Sequence, residues 1–314
     1  MANIGYIQVN RHCNNACHFC SNPSNGNNIS YERGIELLDD FKKRDYSGVI
    51  FTGGEPTLSP DLPKWLAYSK TIGLGNRMIS NGMMCSNTDF MKRLADSGLE
   101  LVHFSVYSCY EKIHDFLTDT PGSWKKLMMS ITNAINSGVR VQINTVINHY
   151  NENHLDKTVM FLTKTFPPIQ HIVWNNLDPE MMRKTDTAWS TLPNFDNFKP
   201  SLNRAMEYLQ STGRTFRAEK MPLCYIRGFE WCSTETRKIV KEEERIVHFL
   251  DFREMIRETE WEHEKLSECK NCDLNQICSG VYEYDKFFNY VNVYPQKLSI
   301  EEKKEIIKKI KGDI

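Results

Sequence analysis

Residues 4–20 read IGYIQVNRHCNNACHFC. The first six of them, Ile4–Val9, form a short apolar run of strand length and composition. Three thiols follow it closely, at Cys13, Cys17 and Cys20. A strand that runs straight into a thiol-rich loop places those thiols at its C-terminal end, where α/β folds carry their working loops. Working outward, further strand-like runs occur at Val49–Phe51, Arg77–Ile79, Leu101–Val106, Val139–Val146 and Gln170–Trp174. Helical patterns lie between them. Ser30–Arg44 fills the first crossover, and Asn87–Ser97 closes at Gly98. In Ser123–Asn136, Leu127, Met128, Ile131, Ala134 and Ile135 recur at helical spacing, with Ser123 as the expected cap and Gly138 as the stop.

Strand then helix, repeated about six times, predicts a parallel sheet with right-handed crossovers. Six units are too few for a closed eight-unit barrel. The expected fold is therefore α/β, a partial (β/α)6 TIM barrel over residues 1–178. Residues 179–314 are expected to form a C-terminal extension, because the alternation stops there. Pro179, Pro193 and Pro200 punctuate a polar stretch, and the mixed charge of Glu230–Glu268 reads as a solvated helix. A last helix is signalled by a Ser299/Glu302 capping box and an Ile300, Ile306, Ile307, Ile310 stripe.

The chain has 314 residues, 25% of them charged, with a formal net charge of −1. That balance removes the electrostatic argument for a nucleic-acid or membrane-surface protein. No apolar run approaches the roughly 18–20 residues of a membrane helix, and MANIGYIQVN lacks the layout of a signal peptide. The expected location is cytoplasmic. Ten cysteines are the abnormal number. In a large chain without a targeting signal, grouped thiols point to metal or redox chemistry rather than to a disulfide scaffold.

Three thiolates at Cys13, Cys17 and Cys20 can hold three irons of a 4Fe–4S cluster and leave the fourth iron open to a substrate or cofactor. The alternative is a zinc knuckle completed by His12 or His18. CxxxCxxC after the first strand of a partial barrel resembles the radical S-adenosylmethionine (radical SAM) superfamily, and Thr52-Gly53-Gly54-Glu55-Pro56 after the second strand is similar to its GGE motif. The resemblance implies that the open iron chelates the methionine part of S-adenosylmethionine, while the Gly53–Gly54 backbone and Glu55 hold its amino group. It also implies cofactor contacts from Phe19 beside the adenine, from Ser80 and Asn81 after the third strand, and from Ser105 and Asn144 in the fourth and fifth. The family's glycine-rich motif near the fifth strand is not evident.

A second group, Cys269-Lys-Asn-Cys272-Asp-Leu-Asn-Gln-Ile-Cys278, lies downstream of Cys224. Four thiolates can saturate a second, auxiliary 4Fe–4S cluster, or hold zinc as a ribbon. This half is similar to the "twitch" form of the SPASM region of many radical SAM enzymes. No cysteine follows Cys278, so one auxiliary cluster is the limit. Cys224 is the expected fourth ligand because Pro222 sets an extended approach to it, with Cys232 as its rival. Cys232 and Cys109 are also candidate hydrogen-atom donors, whereas Cys85 reads as an inert buried thiol.

The resemblance implies reductive cleavage of S-adenosylmethionine to a 5′-deoxyadenosyl radical, which abstracts a substrate hydrogen atom. It also implies a flavodoxin- or ferredoxin-type electron donor. Enzymes with this auxiliary region often modify ribosomally made peptides by cross-linking, epimerisation or oxidation, which is the expectation here. The alternative is a dehydrogenase, decarboxylase or isomerase of a small metabolite, sugar or nucleoside. Because the barrel strand starts near residue 4, a leader-recognition function is expected on a separate protein. A non-catalytic iron–sulfur carrier is a further alternative, disfavoured because a carrier has no use for an aminocarboxylate-binding loop.

Overall fold

The computed structural model describes residues 3–179 and 190–312. The strands are β1 (Ile4–Asn10), β2 (Gly48–Gly53), β3 (Gly75–Ser80), β4 (Leu101–Ser105), β5 (Arg140–Ile147), β6 (His171–Asn176), β7 (Thr215–Glu219), β8 (Arg245–His248) and β9 (Met255–Glu258). They form one sheet in the order β7-β6-β5-β4-β3-β2-β1-β8-β9. All neighbours pair in parallel except the β8–β9 hairpin. Sequential strand order with helical crossovers is the pattern of an open, partial barrel with a C-terminal extension, as the alternation predicts.

The crossover helices are α1 (Tyr31–Lys43), α2 (Leu62–Thr71), α3 (Thr88–Asp96), α4 (Glu111–Thr118), α5 (Ser123–Asn136), α6 (Leu155–Thr165) and α7 (Phe195–Ser211). Strand residues alternate between two faces. Met78, Val102, Phe104, Ile143, Ile172 and Trp174 are buried in the hydrophobic core, together with Phe41, Trp65, Leu94, Leu127 and Leu162 of the helices. The opposite face is unusual for a barrel: Tyr6, His103, Asn144 and Asn175 stand among Ile50, Ile79, Val146 and Val173 around an open cavity. A packed barrel fills that space with layers of branched apolar side chains. Here it is left open and partly polar.

Past residue 178 the chain returns to the sheet at both ends, a result the sequence reading missed. β7 extends the parallel array beyond β6; its Thr-Phe-Arg-Ala-Glu carries two buried residues, Phe216 and Ala218, too short a signal to stand out. The charged stretch Glu230–Glu268 is not one solvated helix. It holds a short helix, α8 (Thr234–Lys241), and the β8–β9 hairpin, with charges paired across it by Arg245–Glu258 at 2.6 Å and Arg257–Glu244 at 2.6 Å. Pro200 does not break structure but sits inside α7, whose buried Phe195, Phe198, Leu202, Met206 and Leu209 outweigh a proline cost of about 3 kcal/mol.

Ser123 does not cap α5. Gly122, with φ +80°, is the cap residue. The capping acceptor is Asp115 of α4, which takes hydrogen bonds from the Gly122 and Trp124 amides (2.6 and 2.8 Å) and from the Ser123 hydroxyl (2.8 Å). The final helix, α9 (Ile300–Lys311), does carry its capping box. Ile310 is buried and Ile306 and Ile307 pack on the core, but Ile300 is 69% exposed and leaves the stripe. Among the described residues, no helix is long and apolar enough to cross a membrane.

Candidate active site

The cysteine loop leaves β1 and is pinned to the end of β2. The Gly54 amide donates to the Asn10 carbonyl (2.7 Å), the Glu55 amide to the His12 carbonyl (2.7 Å), and Asn10 Nδ2 to the Glu55 carbonyl (3.0 Å). This packing dictates both glycines. Gly53 has φ +136°, and a Cβ there would collide with the Asn10 carbonyl; one at Gly54 would collide with the carbonyl of His12. Their bareness lets β2 press against the root of the thiol loop. On its other side the loop is held by α4, through Ala16 N–H to the Thr118 carbonyl (2.9 Å) and His18 N–H to that of Leu117 (3.1 Å).

Glu55 is buried, 1% exposed. Its Oε1 accepts from the Thr57 amide (3.2 Å), Thr57 Oγ1 (2.6 Å) and Ser80 Oγ (2.8 Å), and its Oε2 from the Asn81 amide (2.7 Å). Burial raises its pKa, and these bonds oppose the rise. Pro56 opens the single turn that follows and is itself buried. Asn81 Nδ2 reaches Asn14 Oδ1 at 2.8 Å and Cys13 Sγ at 3.6 Å. The expected residues Gly53, Gly54, Glu55, Ser80, Asn81 and Cys13 are thus gathered in one hydrogen-bonded network.

Cys13, Cys17 and Cys20 are each half-buried. Besides the Asn81 contact, the Asn15 amide donates to Cys13 Sγ at 3.4 Å. Burial pushes the Cys13 thiol up to about 11, so a cationic partner is what would make it a thiolate. Amide donors aimed at sulfur are the surroundings a thiolate-bound iron cluster uses, and the loop fits such a group. His12 is exposed, and His18 packs on the Phe116 ring at 4.9 Å.

Beside the loop, the inner face encloses a cavity of about 340 Å³. Phe19 and Asn144 both line it, and Phe19 meets the Tyr107 ring edge-on at 4.8 Å. Ser105 is the register partner of Asn144 across β4 and β5, and Asn144 Oδ1 accepts from Asn175 Nδ2 at 2.5 Å. The sequence reading missed Asn175, Asn176, Lys220 and Arg245, which also line the cavity. Strand alternation signals Asn175, but Lys220 and Arg245 become visible only once β7 and β8 are known. Lys220 pairs with Asp178 at 2.8 Å. Burial, with His171 and Arg77 nearby, lowers His103 to about 3, so it stands neutral in the wall.

The second thiol group is gathered from distant chain. Cys224, Cys269, Cys272 and Cys278 line one small cavity with Pro222, Leu274, Val281 and Val293. Backbone amides again point at sulfur: Leu223 and Gly280 at Cys278 Sγ (both 3.4 Å) and Gln296 at Cys272 Sγ (3.3 Å). Burial pushes the Cys224 thiol up to about 11. These residues also fit an iron–sulfur cluster. Among the described residues, no three His, Cys, Asp or Glu side chains are grouped to hold a single metal ion. Cys232 lies elsewhere, fully buried and near Arg217 and Glu230. Cys109, half-buried, donates its amide to Thr158 Oγ1 at 3.2 Å. Neither lines the two cavities. Cys85 is fully buried.

Known proteins resemble the chain both in sequence and in fold. A family model described as the Radical SAM superfamily matches residues 7–162. An AdoMet-dependent heme synthase of Oleidesulfovibrio alaskensis is 28% identical over 149 residues, 46% of this chain and 38% of its own length. A PqqA peptide cyclase of Methylocella silvestris is 24% identical over 156 residues, 48% of this chain and 42% of its own. The matched stretch therefore spans less than half of either relative. Among solved structures, anSMEcpe with bound AdoMet superposes with a TM-score of 0.64 at 15% identity, covering 99% of this chain and 100% of that one. Streptococcus suis SuiB bound to S-adenosylmethionine gives 0.65 at 14% identity, covering 91% and 74%. At these identities the two structures speak for the fold.

Proposed function

The chain is an enzyme of the radical SAM superfamily, and from that premise we propose that it modifies a ribosomally made peptide by hydrogen-atom abstraction. Cys13, Cys17 and Cys20 hold the 4Fe–4S cluster that binds S-adenosylmethionine, and Cys224, Cys269, Cys272 and Cys278 hold the auxiliary one. Together, cluster and S-adenosylmethionine supply a 5′-deoxyadenosyl radical when bound. The chain's own residues bind, orient and shield. The Gly53–Gly54 backbone and Glu55 would receive the methionine ammonium, and Asn81 steadies Cys13. Phe19 flanks the adenine, with Ser105 and Asn144 offering polar contacts to the ribose or carboxylate. Ile50, Ile79, Val146 and Val173 give the cavity an apolar wall that helps to exclude water, and none of its lining residues is a thiol.

The observation that carries the peptide reading is the extent of the structural likeness. The anSMEcpe fold covers the C-terminal half of this chain as well as the barrel, and SuiB has been solved bound to its precursor peptide SuiA. The modification is an oxidation, an epimerisation or a cross-link. The reading entails a flavodoxin- or ferredoxin-type donor, a leader-recognition function on this chain or on a separate protein, and a reducing, cytoplasmic setting. The test is anaerobic turnover of the reconstituted enzyme with S-adenosylmethionine, dithionite and the precursor peptides encoded near its gene. Expected are 5′-deoxyadenosine and a mass change in one peptide. Deuterium transfer from a labelled sugar, nucleoside or tetrapyrrole into 5′-deoxyadenosine, with every peptide unchanged, would overturn the peptide assignment. A clustered protein that forms no 5′-deoxyadenosine would point to an electron carrier.

A further inference from the structure

Arg11 is 2% exposed and stands two positions before the first cysteine. Its Nε and Nη2 donate to the Pro23 carbonyl at 3.2 and 2.8 Å, so one guanidinium clasps both ends of the loop that carries Cys13, Cys17 and Cys20. Its Nη1 points the other way, to Asp251 Oδ2 at 2.5 Å and Gln8 Oε1 at 3.3 Å. Asp251 belongs to the turn between β8 and β9, 240 residues downstream.

That turn is tied to the loop at several further points. Gln8 Oε1 accepts from the Leu250 amide at 3.0 Å, and Gln8 Nε2 donates to Asn22 Oδ1 at 2.9 Å. The Leu250 carbonyl accepts from Asn25 Nδ2 and Asn27 Nδ2 at 2.8 and 3.0 Å. Arg253 forks onto Asp251 at 2.8 and 2.6 Å and reaches Asn22 Oδ1 at 3.4 Å. On the turn's other side, Phe249, Phe252 and Arg253 line a second cavity, which shares Ser21, Asn22, Asp178, Lys220 and Arg245 with the first. Phe252 is 83% exposed there. A single short turn thus faces the cysteine loop on one side and the approach to the inner cavity on the other.

We infer that Arg11 and Asp251 are positioning residues: their ion pair lets the β8–β9 turn set the seating of the Cys13–Cys20 loop, so that the C-terminal half controls the geometry in which the first cluster receives S-adenosylmethionine. The inference rests on the reading that these three cysteines hold that cluster. A simple staple would hold the fold together but leave the loop's seating unaltered when the charge alone is removed. Arg11 forks onto the neutral Pro23 carbonyl and meets Asp251 through Nη1 alone, so the carboxylate charge is what holds the third edge of the guanidinium against the turn.

The test compares the full-length reconstituted wild type with Asp251→Asn, Asp251→Glu and Phe252→Ala. Iron content, thermal stability, S-adenosylmethionine affinity and the electron paramagnetic resonance spectrum of the reduced protein are read with and without S-adenosylmethionine. Asp251→Asn should keep about eight irons per chain, the content of two clusters. Its affinity should fall at least about tenfold, and the spectral change on adding S-adenosylmethionine should be altered. Asp251→Glu should restore part of both, and Phe252→Ala should change neither. Affinity and spectrum within about twofold of wild type in Asp251→Asn would overturn the inference. So would losses that merely follow a fall in thermal stability and remove iron from both sites alike. A wild type that assembles no cluster on Cys13, Cys17 and Cys20 would instead remove the reading beneath it, and the inference with it.

Discussion

Glu55 accepts four hydrogen bonds within the protein, three on Oε1 and one on Oε2, and so joins the ends of β2 and β3. A carboxylate with that much internal work is a structural member as well as the cofactor contact proposed above. Glu55→Ala strands the Ser80 hydroxyl and the Asn81 and Thr57 amides, and should cost about 2–4 kcal/mol by chemical denaturation. Glu55→Gln keeps an acceptor on one side and should lose less stability, yet it lacks the charge that meets an ammonium. Its affinity for S-adenosylmethionine should fall about tenfold to hundredfold. An alanine variant as stable as wild type would refute the bracing role. Glu235 is a second residue the motifs do not announce. It is 5% exposed, with Oε2 unpartnered, and burial first and the charge of Glu219 next raise its pKa, while Lys238 opposes the rise. Arg245 and Glu258 complete the charges around Lys238. Between the unfolded carboxyl's pKa of about 4.3 and the raised native one, the folded chain binds the extra proton, so stability falls as pH rises through that window. Glu235→Gln should flatten that slope and raise the melting temperature at neutral pH. An unchanged slope would show that Glu235 does not titrate there.

At the scale of the element, α9 is where local signals and packing can be separated. Its Ser299/Glu302 box closes as the spacing predicts, with the Ser299 amide on Glu302 Oε2 at 2.7 Å and the Glu302 amide on Ser299 Oγ at 3.2 Å. Ser299→Ala should cost about 1 kcal/mol, as a lost cap does. The helix packs on α8 and on the turn that holds Cys232. Only one edge of its isoleucine stripe is covered, so Ile310→Ala should cost about 2–5 kcal/mol and Ile300→Ala no more than about 0.5. Equal losses would mean that Ile300 finds cover in solution. The charged run before it teaches the opposite lesson. Ile246, Val247 and Ile256 are too few and too interspersed with Arg and Glu to announce β8 and β9, because a hairpin of two four-residue strands draws its stability from the sheet it joins rather than from its own pattern.

Across the whole molecule, two thiol groups lie about two hundred residues apart, no residue of the Cys13–Cys20 loop lines the cavity of the second, and the two should fill independently. Replacing Cys13, Cys17 and Cys20 with Ala should abolish 5′-deoxyadenosine formation while leaving about four irons per chain. Cys224→Ala should lose about four irons and Cys232→Ala none; the reverse result would exchange their roles. The sequence alone was enough for the parallel core, the thiol loop after β1 and the glycine pair after β2. Each is written within a few residues, by alternation, by metal-ligand spacing and by backbone that must lack a Cβ. It also grouped Cys224 with CxxCx5C over Cys232, and in the structure Cys224 lines a cavity with Cys269, Cys272 and Cys278. What it could not contain was anything that depends on two distant segments meeting. The return of β7 and β8 to the two ends of the sheet, Asp115 as the cap of α5, and the burial of Arg11 against Asp251 are all of that kind. Local spacing reports the free energy of one turn or one strand, whereas these features exist because the collapsed chain must pair every buried charge and backbone group with whatever tertiary packing brings beside it.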